Sequence, residues 1–197
     1  VIEFGGIEAN PDYDTLMRAI SLGKSEKIDF ILAVGGGSII DGTKFIAAGI
    51  NYDGDPWEFV AGKAKVPAAL PFGTVLTLPA TGSEMNCGAV ISRRATQEKY
   101  PFNNPEGFPQ FSVLDPTAVY RLPQRQVANG IIDTFIHTTE QYLTTAGSPK
   151  VMDRFAEGVL RTLIDIAPRI LAEGDRKYAD CADFMMAATM GLNGFLA

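Results

Sequence analysis

The run Asp29 to Gly49, DFILAVGGGSIIDGTKFIAAG, constrains this chain more than any other stretch. A short apolar segment enters three consecutive glycines and an apolar-periodic segment with helix-starting residues follows, which predicts strand, tight turn and helix. Such a turn suits an anion. Glycines without a Cβ let backbone amides approach closely, and the following helix presents its unpaired N–H groups and positive dipole end. Ser38 and Asp41, three residues apart, fit that use; they equally fit a capping box with Ser38 as the N-cap. Two familiar glycine motifs do not match. The dinucleotide fingerprint GxGxxG needs glycine where Ile40 stands, and the P-loop needs lysine first where the chain reads Thr43-Lys44.

The flanking sequence extends the pattern. Val1 to Phe4 reads as the end of a strand, and Tyr13, Leu16, Met17 and Ile20 keep helical spacing in a segment running to about Lys27. Asp29 to Val34 is continuously apolar, as expected of a strand covered on both faces in a parallel sheet. After a mixed loop from Asn51 to Pro71, Gly73 to Leu78 reads as another buried strand. Pro79-Ala80-Thr81-Gly82-Ser83-Glu84 follows that strand end directly, where open α/β sheets place their ligands. The same segment also fits a polar turn capping a helix that starts near Ser83. Val90 to Ser92 and Phe111 to Leu114 are predicted strands around a basic, proline-bearing loop containing Lys99.

Beyond Leu122-Pro123 the periodicity becomes helical. One helix is expected over Gln124 to Leu143 and a second through Val151, Phe155, Val159, Leu163 and Ile166, with Pro168 kinking or ending it. A third is expected from about Ala179 to the C-terminus. The predicted architecture is therefore α/β: a parallel-sheet nucleotide-binding layer over 1–122, then the start of an all-helical domain over 123–197.

Composition narrows the function classes. With 197 residues, 46% of them hydrophobic, the chain can bury a substantial core. A net charge of -6 argues against nucleic acid or an anionic membrane as partner, since both reward clustered Lys and Arg. No apolar run reaches the roughly 20 residues that a membrane-spanning helix needs. Cys87 and Cys181 are the only cysteines and lie outside any CxxC, so neither a disulfide framework nor a cysteine zinc site is expected, and a reducing cytoplasm fits best. Val1 to Gly6 has no signal-peptide profile.

On the first helix after residue 122, Asp133 and His137 are four apart and share one face. A carboxylate oxygen and an imidazole nitrogen at that spacing suit two ligands of one zinc, ferrous iron or manganese ion; they also suit a simple surface hydrogen bond. His137 is the only histidine, so the chain cannot assemble a catalytic metal site from histidines.

In series, these pieces resemble the iron-containing alcohol dehydrogenase family, nearest its NADPH-dependent butanol dehydrogenase and aldehyde reductase branch. The residues that carry the resemblance are Glu3-Phe4-Gly5-Gly6-Ile7-Glu8 with Asn10-Pro11, and Gly35-Gly36-Gly37-Ser38 with Asp41-Gly42-Thr43-Lys44. Further along come Thr77-Leu78-Pro79-Ala80-Thr81-Gly82-Ser83-Glu84, Leu114-Asp115-Pro116, and Asn129-Gly130 leading to Asp133 and His137. The resemblance implies a dehydroquinate synthase-like fold with NADP or NAD and a divalent metal in a cleft between the two domains. It implies that Gly36, Gly37 and Ser38 hold the pyrophosphate and that Asp41 lies near the nicotinamide end. Thr77, Thr81 and Ser83 would line the same groove, Asn86 and Lys99 would hydrogen-bond the cofactor, and Asn10 would approach the adenosine side. Asp133 and His137 match the family's first two metal ligands.

In that family two further metal-binding histidines lie beyond the position of Ala197, and a first strand and glycine-rich turn lie before that of Val1. The chain therefore reads as an internal piece of such an enzyme, with both domains incomplete and with exposed strand edges that favour homo-oligomers. The implied reaction interconverts small aldehydes and primary alcohols, and no residue here need act as a catalytic nucleophile. Two rivals stay open: a truncated, non-catalytic nucleotide-binding module, and a dehydroquinate synthase-like cyclase, which shares the Gly-Gly-Gly-Ser turn.

Overall fold

A computed structural model describes residues 1–144 and 149–196. Their contacts divide the chain into two compact units, Val1–Val75 with Cys87–Ser112, and Leu76–Asn86 with Val113–Ala197.

The first unit opens on coil, so the strand expected at Val1 to Phe4 is absent. Helix α1 (Tyr13–Ser25) starts where the Asp12 carboxylate accepts the Asp14 N–H at 3.0 Å, satisfying a backbone donor the helix cannot. Strand β1 (Ile31–Gly35), helix α2 (Gly37–Ile50) and a single helical turn α3 (Trp57–Val60) follow. Then come strands β2 (Phe72–Leu76), β3 (Gly88–Arg93), β4 (Glu98–Asn103) and β5 (Phe111–Leu114). A parallel sheet has the order β1-β2-β5, and β3 and β4 form an antiparallel pair with Gly88 opposite Asn103 and Arg93 opposite Glu98. The unit boundary falls within β2 and β5.

The core of this unit joins Leu16 and Ile20 of α1, Phe45 of α2, Trp57 and Phe59 of α3, Ile91 of β3 and Phe102 of β4. The rings of Phe45, Phe59 and Phe102 meet at centroid distances of 5.5–6.4 Å, in tilted or edge geometries. Fully burying one such side chain stabilises by about 1.5–3 kcal/mol. Helices α1 and α2 pack closely at Gly49, where an added Cβ would lie 2.4 Å from Ile20 Cδ1.

Three expectations are corrected here. Strand β1 alternates rather than being covered on both faces: Ala33 is buried, while Leu32 and Val34 are 52% and 57% exposed. The continuous apolar run therefore does not mean two covered faces. The proline-bearing loop around Lys99 is strand β4; Pro101 is tolerated because β4 pairs only with β3. The segment near Ser83 makes a single 3-10 turn (Ser83–Met85) preceded by Gly82 at φ +60°, not a longer helix.

The Tyr13 hydroxyl donates to Asp55 at 2.7 Å, and the Arg93 guanidinium stacks 4.6 Å from its ring centroid. Burial first, then the hydrogen bond and the charge of Asp55, push the Tyr13 pKa up to about 12. A raised phenol pKa means that the folded state keeps its proton longer than the unfolded chain. The stabilisation is whole below the ordinary value near 10 and falls as pH rises from there through about 12. Thermal denaturation between pH 9 and 12 (a range set by about the phenol's ordinary and raised values) should therefore show a fall in Tm that Tyr13→Phe flattens; an equal fall in both proteins would contradict it.

The second unit is helical, with α4 (Gln124–Thr144), α5 (Lys150–Ile170) and α6 (Tyr178–Gly191). Helix α5 continues two residues past Pro168, and α6 ends at Gly191 rather than reaching the end of the chain. The buried Asp180 carboxylate accepts both Nε and an Nη of Arg169, at 2.9 and 2.7 Å, so this charge is paired where burial would otherwise penalise it.

Helix α4 meets the Pro79-Ala80 backbone at Gly130, where a Cβ would stand 2.5 Å from Pro79 O and 2.9 Å from Phe184 Cζ. Four residues on, Thr134 Oγ1 donates to Ala80 O at 3.3 Å. Gly130→Ala should cost about 1–2 kcal/mol, overpacking outweighing the better helix propensity of alanine. Gly158→Ala in α5, where a Cβ meets nothing within 4 Å, should instead stabilise by about 0.5–1 kcal/mol. Urea denaturation of the two variants checks this; equal signs would contradict it.

Candidate cofactor and metal residues

In the first unit the structure groups Asn10, Gly36, Gly37, Ser38, Asp41 and Lys99 around the start of α2. Helix α2 is N-capped by Gly36 without a side-chain cap, so the capping-box alternative for Ser38 and Asp41 is not the one realised. Its two members are engaged elsewhere. Ser38 Oγ accepts the backbone N–H of Asn10 at 3.2 Å, and Asp41 Oδ2 accepts the backbone N–H of Val90 in β3 at 2.9 Å. With no cap side chain over it, the first turn of α2 has backbone N–H groups and a positive dipole end suited to an anion.

Lys99 reaches this turn through the β ladder. It stands opposite Ser92, and Asp12 bridges Ser92 from the other edge, with Ser92 N donating to Pro11 O at 3.0 Å. Lys99 Nζ then donates to Asn10 Oδ1 at 2.8 Å. Asn10 itself adopts φ +56°, a left-handed conformation that asparagine tolerates better than most residues.

Lys44, which residue spacing alone does not single out, anchors this region. It is 1% exposed and its Nζ donates to Gly88 O at 2.8 Å. With Asp41 on Val90, two side chains of α2 therefore grip the first residues of β3. The available signal was a lone cation in an otherwise apolar stretch of α2, because such a charge is buried only when hydrogen-bonded.

In the second unit, Thr77 follows β2 and is half-buried, and Thr81, Ser83 and Asn86 surround the 3-10 turn. Asn86 Nδ2 donates to Leu192 O at 2.9 Å, tying the turn to the end of α6. Ser83 is buried, with its N–H 3.4 Å from Thr81 Oγ1. The Glu84 carboxylate accepts the Thr189 hydroxyl, so the segment is held by α6 from two points.

On α4, Asp133 Oδ2 lies 3.8 Å from His137 Nδ1, beyond hydrogen-bonding distance. The imidazole side chain is 23% exposed, and its Nδ1 atom is buried without a hydrogen-bond partner. An imidazole nitrogen without a hydrogen-bond partner, 3.8 Å from a carboxylate oxygen, leaves both groups free to serve as donors to one metal. Among the described residues no group of three or more His, Cys, Asp or Glu gathers around one point, so the fit is of two donors.

The model of the iron-containing alcohol dehydrogenases matches residues 1–116. The NADPH-dependent aldehyde reductase YqhD of Escherichia coli is 54% identical over 199 residues, covering 100% of this chain and 51% of that protein. The crystal structure of that protein superposes with a TM-score of 0.94 at 54% identity, covering 99% of this chain and 50% of the other. A NADH-dependent butanol dehydrogenase A from Thermotoga maritima superposes equally well, with a TM-score of 0.94, 37% identity and coverage of 98% and 48%. The chain thus spans about half the length of the curated relatives it matches.

Proposed function

Since this chain belongs to the iron-containing alcohol dehydrogenase family, we propose that the protein carrying it interconverts small aldehydes and primary alcohols with a nicotinamide cofactor and a divalent metal. The observation that carries the reading is the unpaired His137 Nδ1 beside Asp133. Asp133 and His137 would hold the metal, which would supply Lewis acidity toward a carbonyl oxygen, and the nicotinamide cofactor would supply or accept the hydride.

The chain's own residues bind and orient. Gly36, Gly37 and Ser38 offer backbone amides and a hydroxyl to the pyrophosphate, and Lys99 adds a cation. Asp41 fixes the spacing between α2 and β3 through Val90, and Asn10 and Asn86 orient the segments in which they lie. Thr77 and Thr81 would present small polar side chains to the cofactor, with the buried Ser83 supporting the turn that follows. Four further features belong to the same proposal: the division into a cofactor-binding 1–122 and a metal-binding 123–197, iron rather than zinc or manganese, a cytoplasmic location, and homo-oligomers formed through exposed Leu32 and Val34. No helix among the described residues is long and apolar enough to cross a membrane. NADP is favoured over NAD by the 54% identity to an NADPH-dependent reductase.

Titration of the metal-free chain with ferrous, zinc and manganese ions tests the reading. Stoichiometric binding by at least one ion is expected; a chain that binds NADPH but none of these ions would be the non-catalytic nucleotide module instead.

A further inference from the structure

Met85 closes the 3-10 turn Ser83–Met85, and its sulfur faces the segment that follows α6. The Asn193 carboxamide sits between two thioethers there. Its Nδ2 lies 3.6 Å from Met85 Sδ and 3.5 Å from Met190 Sδ, so the amide donors are spent on sulfur, a weak acceptor. At its other end, Asn193 Oδ1 accepts the Phe195 N–H at 2.9 Å, and the Phe195 ring meets Phe155 of α5 edge-on at 5.1 Å. Asn193 therefore shapes the turn over 192–196. Together with Asn86 Nδ2 on Leu192 O at 2.9 Å, it ties that turn to the 3-10 turn.

Of the six methionines, Met85 and Met186 are 51% and 54% exposed, whereas Met185 is buried and Met17, Met152 and Met190 are half-buried. A small oxidant reaches the first two sulfurs most readily. They differ in what awaits the product. Met186 lines a groove beside Phe155 and Val159, where a polar sulfoxide meets apolar neighbours. Met85 has an amide N–H already aimed at its sulfur. A sulfoxide oxygen carries more negative charge than a thioether sulfur and accepts a stronger hydrogen bond. The N···S separation of 3.6 Å also exceeds the ordinary N–H···O distance of about 2.9–3.0 Å, so an oxygen added on that side takes the N–H with Asn193 where it stands.

We propose that Met85 is a site of reversible oxidation by hydrogen peroxide, and that its sulfoxide, received by Asn193, tightens the link between the 3-10 turn and the segment after α6. The sulfur lone pair attacks one peroxide oxygen, and the S–O bond forms as the O–O bond breaks. Sulfur is oxidised and the peroxide reduced; the second oxygen takes the proton of the first and leaves as water. A methionine sulfoxide reductase, drawing electrons from a dithiol, restores the thioether and releases that oxygen as water. Methionine oxidation ordinarily disrupts packing. At Met85 the sign reverses, because the sulfur is half in solvent and a donor is already in place.

The test uses a Met186→Leu background, which leaves Met85 as the one methionine more than half exposed. After treatment with hydrogen peroxide, peptide mass spectrometry locates the added oxygen. Amide hydrogen exchange followed by NMR reads the Phe195 N–H, whose acceptor is the Asn193 side chain. One oxygen on Met85 and exchange at Phe195 slowed about threefold are expected, as a weak acceptor gives way to a strong one. The reductase should return the original rate. Met85→Leu should show no slowing. Asn193→Asp, which keeps the acceptor for Phe195 but has no N–H to give, should be oxidised at Met85 without slowing. Unchanged or faster exchange after oxidation, equal slowing in Asn193→Asp, or oxygen added at Met17, Met152 or Met190 before Met85 would overturn the inference.

Discussion

Replacing Lys44 with alanine is expected to destabilise the protein by about 3 kcal/mol, among the largest losses any single side chain here should produce. The side chain is 1% exposed, so alanine leaves a cavity along its whole stem, and the change also removes the ammonium that holds Gly88 O at 2.8 Å. The two parts can be separated. Lys44→Met keeps most of the volume but removes the ammonium donor to Gly88 O, which costs about 1–3 kcal/mol. Methionine should therefore recover only the cavity part of the loss. Urea denaturation followed by circular dichroism measures both. An alanine variant within about 1 kcal/mol of wild type, a typical surface-level effect, would contradict the role assigned to Lys44.

His137→Ala is expected to abolish stoichiometric metal binding, and with it metal-dependent turnover, while leaving the fold unchanged. The proposed donor set is small. Asp133 and His137 are the two proposed donors, 3.8 Å apart, and one carboxylate is a poor site by itself. Asp133→Ala should have the same effect, whereas Asp133→Asn, which keeps an oxygen but loses its charge, should bind more weakly than wild type and better than alanine. Asp133 is partly exposed and Thr134 and Thr138 carry the buried side of α4, so the helix itself should survive each change. Retained binding in His137→Ala would mean that the unpaired Nδ1 atom has another cause.

Local pattern reached far into this molecule. The strand, glycine turn and helix of β1 and α2, the helical stripe of α1, and the three long helices of the second unit all followed from residue spacing. What local pattern missed depends on partners distant in sequence. Strand β4 reads EKYPFN, with two charges and a proline, and becomes a strand only through its register with β3. Ser38 and Asp41 have capping-box spacing, but the backbone N–H groups of Asn10 and Val90 compete for them and win. The exposure of Leu32 and Val34 was equally invisible, because an apolar run gives the length of a strand and not the number of faces that are covered.

The candidate site divides in the same way. Asp133 and His137 were visible because helical spacing alone puts them together, and the glycine turn was visible as strand, turn and helix, its use following only from the family resemblance. The links from Asn10 to Ser38 and Lys99, and from Lys44 to Gly88, cross 28, 89 and 44 positions of sequence and belong to the tertiary fold.

Metal-dependent interconversion of aldehydes and alcohols, as proposed, is checked by following NADPH oxidation with butyraldehyde. The protein is stripped of metal, then given ferrous, zinc or manganese ions separately. No turnover is expected of the stripped protein, turnover returns on restoring metal with iron the most effective, and His137→Ala shows none. Turnover that ignores metal, or none with any of the three ions, would contradict it.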